Sequence, residues 1–348
     1  MINISVIIVA HKNRGYLLQA IKSVVNQTLD KSQYEIIIVK NFSDKTIDNF
    51  IKNIGAKNIL TSIPTKGGKL VLGIKCASGN ILVFLDDDDL FKKEKLMTVY
   101  GAFSDYFDLG YYHDGFRYIN TKNHILHERH SLVKTTLYIK NMDKMEHLSL
   151  ILDRAGSALG SCAIRKNIVL GHMKTLSKII SRSDTFLFYL AMISEYSILL
   201  DCKKLTFYRI HNSESNFVTG DYKKFINWLI LRYKAAIYDL PLIISIAKTR
   251  HMEKQLLFKL IDYKLILSLT KKNHHNYLNL TDLIWALTQY NYYKGSKLGK
   301  SAFLQYGILY LIYPKLARLR YNKNYLPRLY NYYTEGIGLK TSKHRVYS

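Results

Sequence analysis

The sequence predicts an α/β protein with a mostly parallel sheet flanked by helices, followed by a mainly α-helical C-terminal region. Three observations carry this. Apolar, β-branched runs at 4–9 (ISVIIV), 35–39 (EIIIV) and 81–85 (ILVFL) alternate with stretches of helical spacing. A strand that is apolar along its whole length is buried on both faces, the habit of parallel sheets. From about residue 221 the apolar residues recur every three or four positions, which is a helical period.

Residues 14–26 put Leu17, Leu18, Ile21, Val24 and Val25 on one helical face. Residues 44–53 read as a helix, 58–60 as a weak strand, and 67–76 as a helix opened by Gly67 and Gly68. The strand at 81–85 runs into Asp86, Asp87, Asp88 and Asp89. Ligands of open α/β sheets bind at the carboxyl ends of strands, which is where these four acids stand. They admit three roles. They can be a solvated loop, or a helix start, because Asp caps helices and favours the positive end of the helix dipole. They can also hold a divalent metal, which takes hard oxygen ligands and offsets their repulsion.

The 348 residues exceed one typical domain, and two are expected, at 1–220 and 221–348. Lys and Arg number 51 against 26 Asp and Glu, a net charge of +25. Residues 221–348 hold 22 of those cations, only 6 of the acids, and 17 of the 28 tyrosines. Such a balance calls for an anionic partner: nucleic acid, a membrane surface or a phosphorylated substrate. Cys76, Cys162 and Cys202 show neither a disulfide framework nor a zinc spacing, which fits a reducing compartment. No signal peptide pattern opens the chain. No run reaches the roughly 20 apolar residues of a membrane span; 302–314 comes nearest. Tyrosines and cations crowd 290–333, as in NYYKGSKLGK and RLRYNKNYLPRLYNYY, and suit an anionic membrane interface. The expected location is therefore cytoplasmic, peripheral at the inner face of the cell membrane. Helices packed on the first domain, or an oligomer contact, are the other uses of such a stripe. A nucleic-acid-binding protein is the rival class, since tyrosines stack on bases and cations hold phosphates. No nucleic-acid motif is present, and no nucleic acid is expected as a partner.

Five segments carry a resemblance: SVIIVAHKNRGYLLQAIKSVVNQTLD (5–30), YEIIIVKNFSD (34–44), ASGNILVFLDDDDLF (77–91), SDTFLFY (183–189) and YRIHNSESN (208–216). Over roughly residues 1–220 the chain resembles the family 2 glycosyltransferases of the GT-A fold. The resemblance implies a metal-dependent, inverting transfer of a sugar from a UDP- or GDP-linked donor to an acceptor hydroxyl. It also implies a glycan or polyprenyl-linked acceptor. In the family the first strand and its loop hold the nucleotide base, and Ala10 and His11 occupy those positions. The second strand of the family commonly ends in two acids, whereas Lys40 and Asn41 stand here. The D-x-D of the family carries over as Asp86 on the donor and Asp88 on Mg²⁺ or Mn²⁺. Asp87 lies beside the donor or is solvated, and Asp89 caps the helix that follows. Asp184 takes the place of the catalytic base, with Ser183 where Glu is common; both also read as a helix N-terminus. His211 takes the place of a metal or diphosphate ligand, or is a loop histidine bonded to backbone. Arg209 contacts the diphosphate or is a strand-edge cation. Lys69, with Lys66, Gly67 and Gly68, forms a helix start that suits phosphate, or a surface loop. On the acceptor side stand Gly156, Ser157 and Asp114, the last also readable as a turn residue before Gly115. Lys40, Asn41 and Ser183 leave a non-catalytic relative as the remaining alternative.

Overall fold

Seven consecutive buried residues, Ile4–Ala10, form β1 at the centre of a sheet. They are apolar on both sides except for Ser5, because helices cover both faces. In this computed structural model the described residues are 3–127, 134–144, 155–211, 221–270, 278–288 and 300–335. They fall into two units, Met1–Arg209 and Ile210–Ser348.

In the first unit β1 lies parallel to β2 (Tyr34–Lys40) on one side and to β4 (Ile81–Asp86) on the other. β2 in turn pairs in parallel with β3 (Lys57–Leu60). Parallel neighbours need crossovers, and these are α1 (Leu17–Val25), α2 (Lys45–Asn53) and α3 (Lys66–Cys76). α1 buries Leu17, Ala20, Ile21 and Val24 against Ile8, Ile38 and Leu85 of the sheet. Asp44 starts α2 by accepting the Ile47 N–H at 3.0 Å. Thr65 starts α3 in the same way, from Gly68 N–H at 3.1 Å.

Gly67 has a packing reason. A Cβ there would stand 1.9 Å from the Leu176 carbonyl oxygen, which is backbone and cannot swing aside. Gly67→Ala is therefore expected to destabilise the first unit by roughly 1–3 kcal/mol, as overpacking does. A urea midpoint equal to wild type would refute it.

After β5 (Leu90–Phe91) and α4 (Lys95–Asp105) the sheet becomes mixed. β6 (Leu109–Ile119), β7 (Ile125–His127), β8 (Leu137–Ile139), β9 (Cys162–Arg165) and β10 (Ser197–Arg209) complete it. The order is β3-β2-β1-β4-β9-β6-β10-β5, with β7 on β6 and β8 on β10. β9 runs antiparallel to both β4 and β6, while β6 and β10 are parallel. Short helices α5 (Lys166–Leu170) and α6 (Met173–Leu176) lead to α7 (Ser183–Ile193).

The second unit is helical: α8 (Tyr222–Ile244), α9 (Arg250–Thr270), α10 (Leu280–Thr288), α11 (Lys300–Ile312), α12 (Pro314–Arg320) and α13 (Leu326–Glu335). Asp221 caps α8 through the Lys223 and Lys224 N–H groups. α9 buries residues around its whole circumference and is the central helix. Two carbonyls near its last described residue accept from the segment that follows α11. Arg318 Nε donates to Ser268 O at 3.0 Å and Asn322 Nδ2 to Leu269 O at 3.2 Å. Among the described residues no helix is long and apolar enough to cross a membrane. Residues 212–216 and 291–299, parts of YRIHNSESN and NYYKGSKLGK, lie outside the described residues.

Candidate active site

The row of aspartates begins at the last residue of β4 and turns sharply, with Asp89 N–H donating to Asp86 O at 3.2 Å. The turn gives each carboxylate a different partner. Asp86 meets Lys66 Nζ at 2.6 Å, and Asp88 meets Arg14 Nη1 at 3.5 Å. Asp87 accepts the His11 N–H at 3.3 Å, and Asp89 accepts the Arg209 N–H at 2.9 Å. Asp87 and Asp89 are buried, whereas the Asp86 and Asp88 side chains keep 20% and 16% of their exposure. The alternation selects Asp86 and Asp88 as the pair open to a ligand.

Two expectations need correction. Asp89 does not cap the next helix, because α4 begins only at Lys95 and its N-cap residue Glu94 makes no side-chain cap. Asp87 is not solvated. Burial first, then the neighbouring Asp88, pushes its carboxyl up to about 7, with Arg14 opposing. Burial and the charges of Asp88 and Asp86 likewise hold the Asp89 carboxyl well above the usual range.

This crowding of acids fits a small divalent cation. Mg²⁺ and its like bind through one or two carboxylates and complete their shell with phosphate oxygens and water. Asp88 and Asp86 offer such oxygens. Among the described residues no group of three or more His, Cys, Asp or Glu is placed to hold a metal, so donor oxygens would have to supply the rest.

Arg209 is also corrected. Its guanidinium is buried and donates to Asp88 O at 2.6 Å, Asn120 O at 3.0 Å, Asn123 Oδ1 at 2.6 Å and Gln19 Oε1 at 3.2 Å. It also lies over the Tyr16 ring, 4.6 Å from its centroid. So engaged, it staples the aspartate turn to α1 and to the β6–β7 turn and does not face a diphosphate.

Ala10, His11, Asn41 and Lys69 do come together, at the carboxyl ends of β1 and β2. Lys69 Nζ stands 3.0 Å from His11 Nδ1 and 3.4 Å from Ala10 O, and Asn41 Nδ2 stands 3.2 Å from the same Nδ1. Two donors converge on that nitrogen, so it carries the lone pair and Nε2 carries the hydrogen. Asn41 Oδ1 accepts the Lys12 N–H at 2.9 Å, and Lys12 turns the chain at φ 65°. Lys69 is buried and orients His11. Lys40, where the family has an acid, is buried against Asp48 at 2.8 Å and Phe42 O at 2.6 Å.

Sequence reasoning missed Arg14 and the pairing of Lys66 with Asp86. Arg14 sits 3.5 Å from Asp88 and 3.9 Å from Asp87. Lys66, read only as part of a helix start, pairs with Asp86. Burial alone would lower its ammonium, yet Asp86, Asp184 and Asp88 together hold it above its ordinary value. Both lie shortly after a strand end and directly before a glycine, Gly15 and Gly67, the one signal that was available.

Asp184 stands in the first turn of α7 and accepts the Thr185 N–H at 2.7 Å. Burial raises its carboxyl above the ordinary value, against Lys66, the Thr185 bond and Arg182. Thr185 Oγ1 donates to Gly156 O at 3.1 Å, which ties the 155–158 loop to the same helix turn. His113 Nε2–H reaches Ser157 O at 2.8 Å from below. Asp114 does not reach an acceptor. It is wholly buried on β6, paired with Lys95 at 2.6 Å and accepting Leu205 N–H at 3.1 Å, and it is not a turn residue. His211, buried two residues past β10, belongs to the second unit.

Burial pulls the His113 imidazole down to about 4, only partly offset by the Ser157 bond. The unfolded imidazole takes a proton near pH 6.5 and the folded one does not until about pH 4. Its contribution is therefore complete above 6.5 and lost as pH falls toward 4. Replacing His113 with Phe is expected to remove roughly 3 kcal/mol of that acid-dependent loss. Urea titrations of both proteins at neutral and acid pH test this, and parallel pH slopes would refute it.

The family profile described as Glycosyl transferase family 2 matches residues 5–168, which span α1 to α4, the aspartate turn and β9. Residues 5–168 thus match a family 2 glycosyltransferase domain. An uncharacterised glycosyltransferase of Rickettsia bellii is 34% identical over 97 residues, 27% of this chain and 14% of that one. A second, of Nostoc sp., is 34% identical over 106 residues, 29% of this chain and 32% of that one. The matches thus span less than a third of either relative's own length. The fold is similar to Staphylococcus aureus TarS 1–349, solved with UDP-GlcNAc: TM-score 0.54, 15% identity, 95% of this chain and 91% of that one. It is also similar to a Pyrobaculum calidifontis mannosyltransferase solved with GDP-Man and Mn²⁺: TM-score 0.51, 15% identity, 91% and 82% covered. The GT-A-like sheet with its helical C-terminal region agrees with these folds. Within the family 2 domain, Asp86, Asp88, Lys66 and Arg14 gather where β4 ends.

Proposed function

We propose that this glycosyltransferase moves a sugar from a nucleotide-diphosphate donor to an acceptor hydroxyl in a single inverting displacement. One observation carries the reading. Of four adjacent carboxylates, the two with D-x-D spacing stay open at the carboxyl end of β4, and a further, half-buried carboxylate, Asp184, shares the charge of Lys66 with them. The acceptor oxygen attacks the anomeric carbon as the bond from that carbon to the diphosphate oxygen breaks. The hydroxyl proton passes to Asp184, and the nucleoside diphosphate leaves with the bonding pair. A carboxyl raised by burial is a stronger base than an ordinary one, which suits proton abstraction near neutral pH. Lys66 and Arg14 place positive charge where the leaving diphosphate gains negative charge. Asp88, with Asp86 beside it, would hold Mg²⁺ or Mn²⁺, which supplies Lewis-acid stabilisation of the leaving group. The folds shared with proteins solved with UDP-GlcNAc and with GDP-Man and Mn²⁺ support a nucleotide-sugar donor.

The acceptor we assign is a surface glycan or its polyprenyl-linked precursor. The similarity to S. aureus TarS, named a poly(ribitol-phosphate) beta-N-acetylglucosaminyltransferase, supports a polymeric acceptor; it is 26% identical over 102 residues. Calorimetry with UDP, GDP and CDP, each with Mn²⁺ and with EDTA, tests the donor. One nucleotide is expected to bind with Mn²⁺ and to weaken on the order of 10²-fold with EDTA or in Asp88→Asn. Binding of no nucleotide would overturn the proposal.

A further inference from the structure

The junction of α11 and α12 turns a cluster of large apolar side chains outward. Ile312 is 60% exposed, Tyr313 62%, Leu316 40% and Leu319 66%. Ile308, one turn before Ile312, joins them on α11. Pro314 starts α12 after a bend at Tyr313, so these residues crown a corner. The inner face of α12 is engaged: Ala317 is buried, and Arg318 is held by Ser268 O. The outer face alternates Leu316 and Leu319 with exposed Lys315 and Arg320, and Lys323 follows, also exposed. From Asp282 to Glu335 the sequence has no intervening acidic residue and eight Lys and Arg.

We propose that this corner docks on an anionic lipid bilayer, with Ile312, Tyr313, Leu316 and Leu319 entering the headgroup boundary and Lys315, Arg320 and Lys323 on its phosphates. The proposal deepens the acceptor reading above, since a polyprenyl-linked acceptor lies in a bilayer, but the contact requires neither donor nor acceptor. Charge and shape choose this occupant. A second copy of the same face would set cations against cations. Nucleic acid would take the cations but leave the aliphatic Ile312, Leu316 and Leu319 in water, because bases stack on aromatic rings. An amphipathic surface with aromatic and basic residues lies in the interface plane, and no described helix crosses the membrane.

The test is sedimentation of the full chain with vesicles of phosphatidylglycerol and phosphatidylcholine in equal parts, and with phosphatidylcholine alone. Binding is expected only to the anionic vesicles and should fall as salt rises. The triple variant Ile312→Ser, Leu316→Ser, Leu319→Ser should lower the partition coefficient on the order of 10²-fold. Lys315→Gln, Arg320→Gln, Lys323→Gln should do so by a similar factor. All six positions are exposed, and unchanged circular dichroism confirms that the variants fold. Failure of the wild type to bind anionic vesicles would overturn the proposal. So would a serine variant that binds as wild type, or binding to single-stranded RNA that both variants lose while vesicle binding persists. Vesicle binding without transfer to any lipid-linked acceptor would overturn the acceptor reading and leave the docking corner standing.

Discussion

Asp184→Asn is expected to lower kcat by ~10²–10⁴-fold while nucleotide affinity stays within about twofold of wild type. The substitution is nearly isosteric. The Asn oxygen can still accept the Thr185 N–H, so the first turn of α7 and its tie to Gly156 persist. What is lost is the capacity to accept a proton. In the wild type the acid limb of kcat/KM reports that carboxyl, so activity should fall as pH drops through a value above the ordinary carboxylate range. Transfer by the variant at near the wild-type rate would remove Asp184 from the base role. Loss of nucleotide binding along with the rate would make it a structural residue of the donor site.

Lys95→Met should destabilise the first unit by about 3–5 kcal/mol, the largest stability effect expected of a single change. Lys95 and Asp114 are both wholly buried and 2.6 Å apart. Removing the cation leaves the buried Asp114 charge with only neutral donors, the Leu205 N–H and Thr206 Oγ1. The damage reaches the site, since Asp114 also accepts the Leu205 N–H of β10 beside β5. Burial already lifts the Asp114 carboxyl to about 6 against the pull of Lys95. In the variant the loss should therefore shrink in acid, where the carboxyl takes a proton. Urea unfolding at two pH values measures this. The double variant Lys95→Met, Asp114→Leu should recover most of the loss, because a buried ion pair is often replaceable by apolar residues. Failure of both the acid and the double-variant rescue would place the effect in packing rather than charge.

The sequence reached the parallel half of the sheet because β1, β2 and β4 carry long apolar runs broken only by Ser5, Glu35 and the strand-end Lys40 and Asp86, a pattern that burial on both faces produces. It reached Asp86 and Asp88 through their place at a strand end. It did not reach Arg209 as a staple. Its partners Gln19, Asn120 and Asn123 lie up to 190 positions away, and nothing local tells a cation that binds a ligand from one that binds a turn. Asp114 misled for a similar reason, since Asp before Gly looks like a turn until Lys95 is placed opposite. Lys66 was visible only as a helix start, because its partner Asp86 becomes a neighbour through the β1–β4 pairing that brings α3 beside the turn. Patterns of period two or 3.6 report burial, whereas contacts between elements are set by the completed sheet.

The closing of the last turn of α9 by Arg318 and Asn322 bears on how this unit matures. Those donors come about fifty residues after the carbonyls they satisfy. During synthesis these two hydrogen bonds form only once the chain through Asn322 has emerged. Amide exchange in mature protein should then find the end of α9 and the α12 segment opening together as one cooperative unit, so that whatever loosens the outer helix also loosens the middle of the bundle.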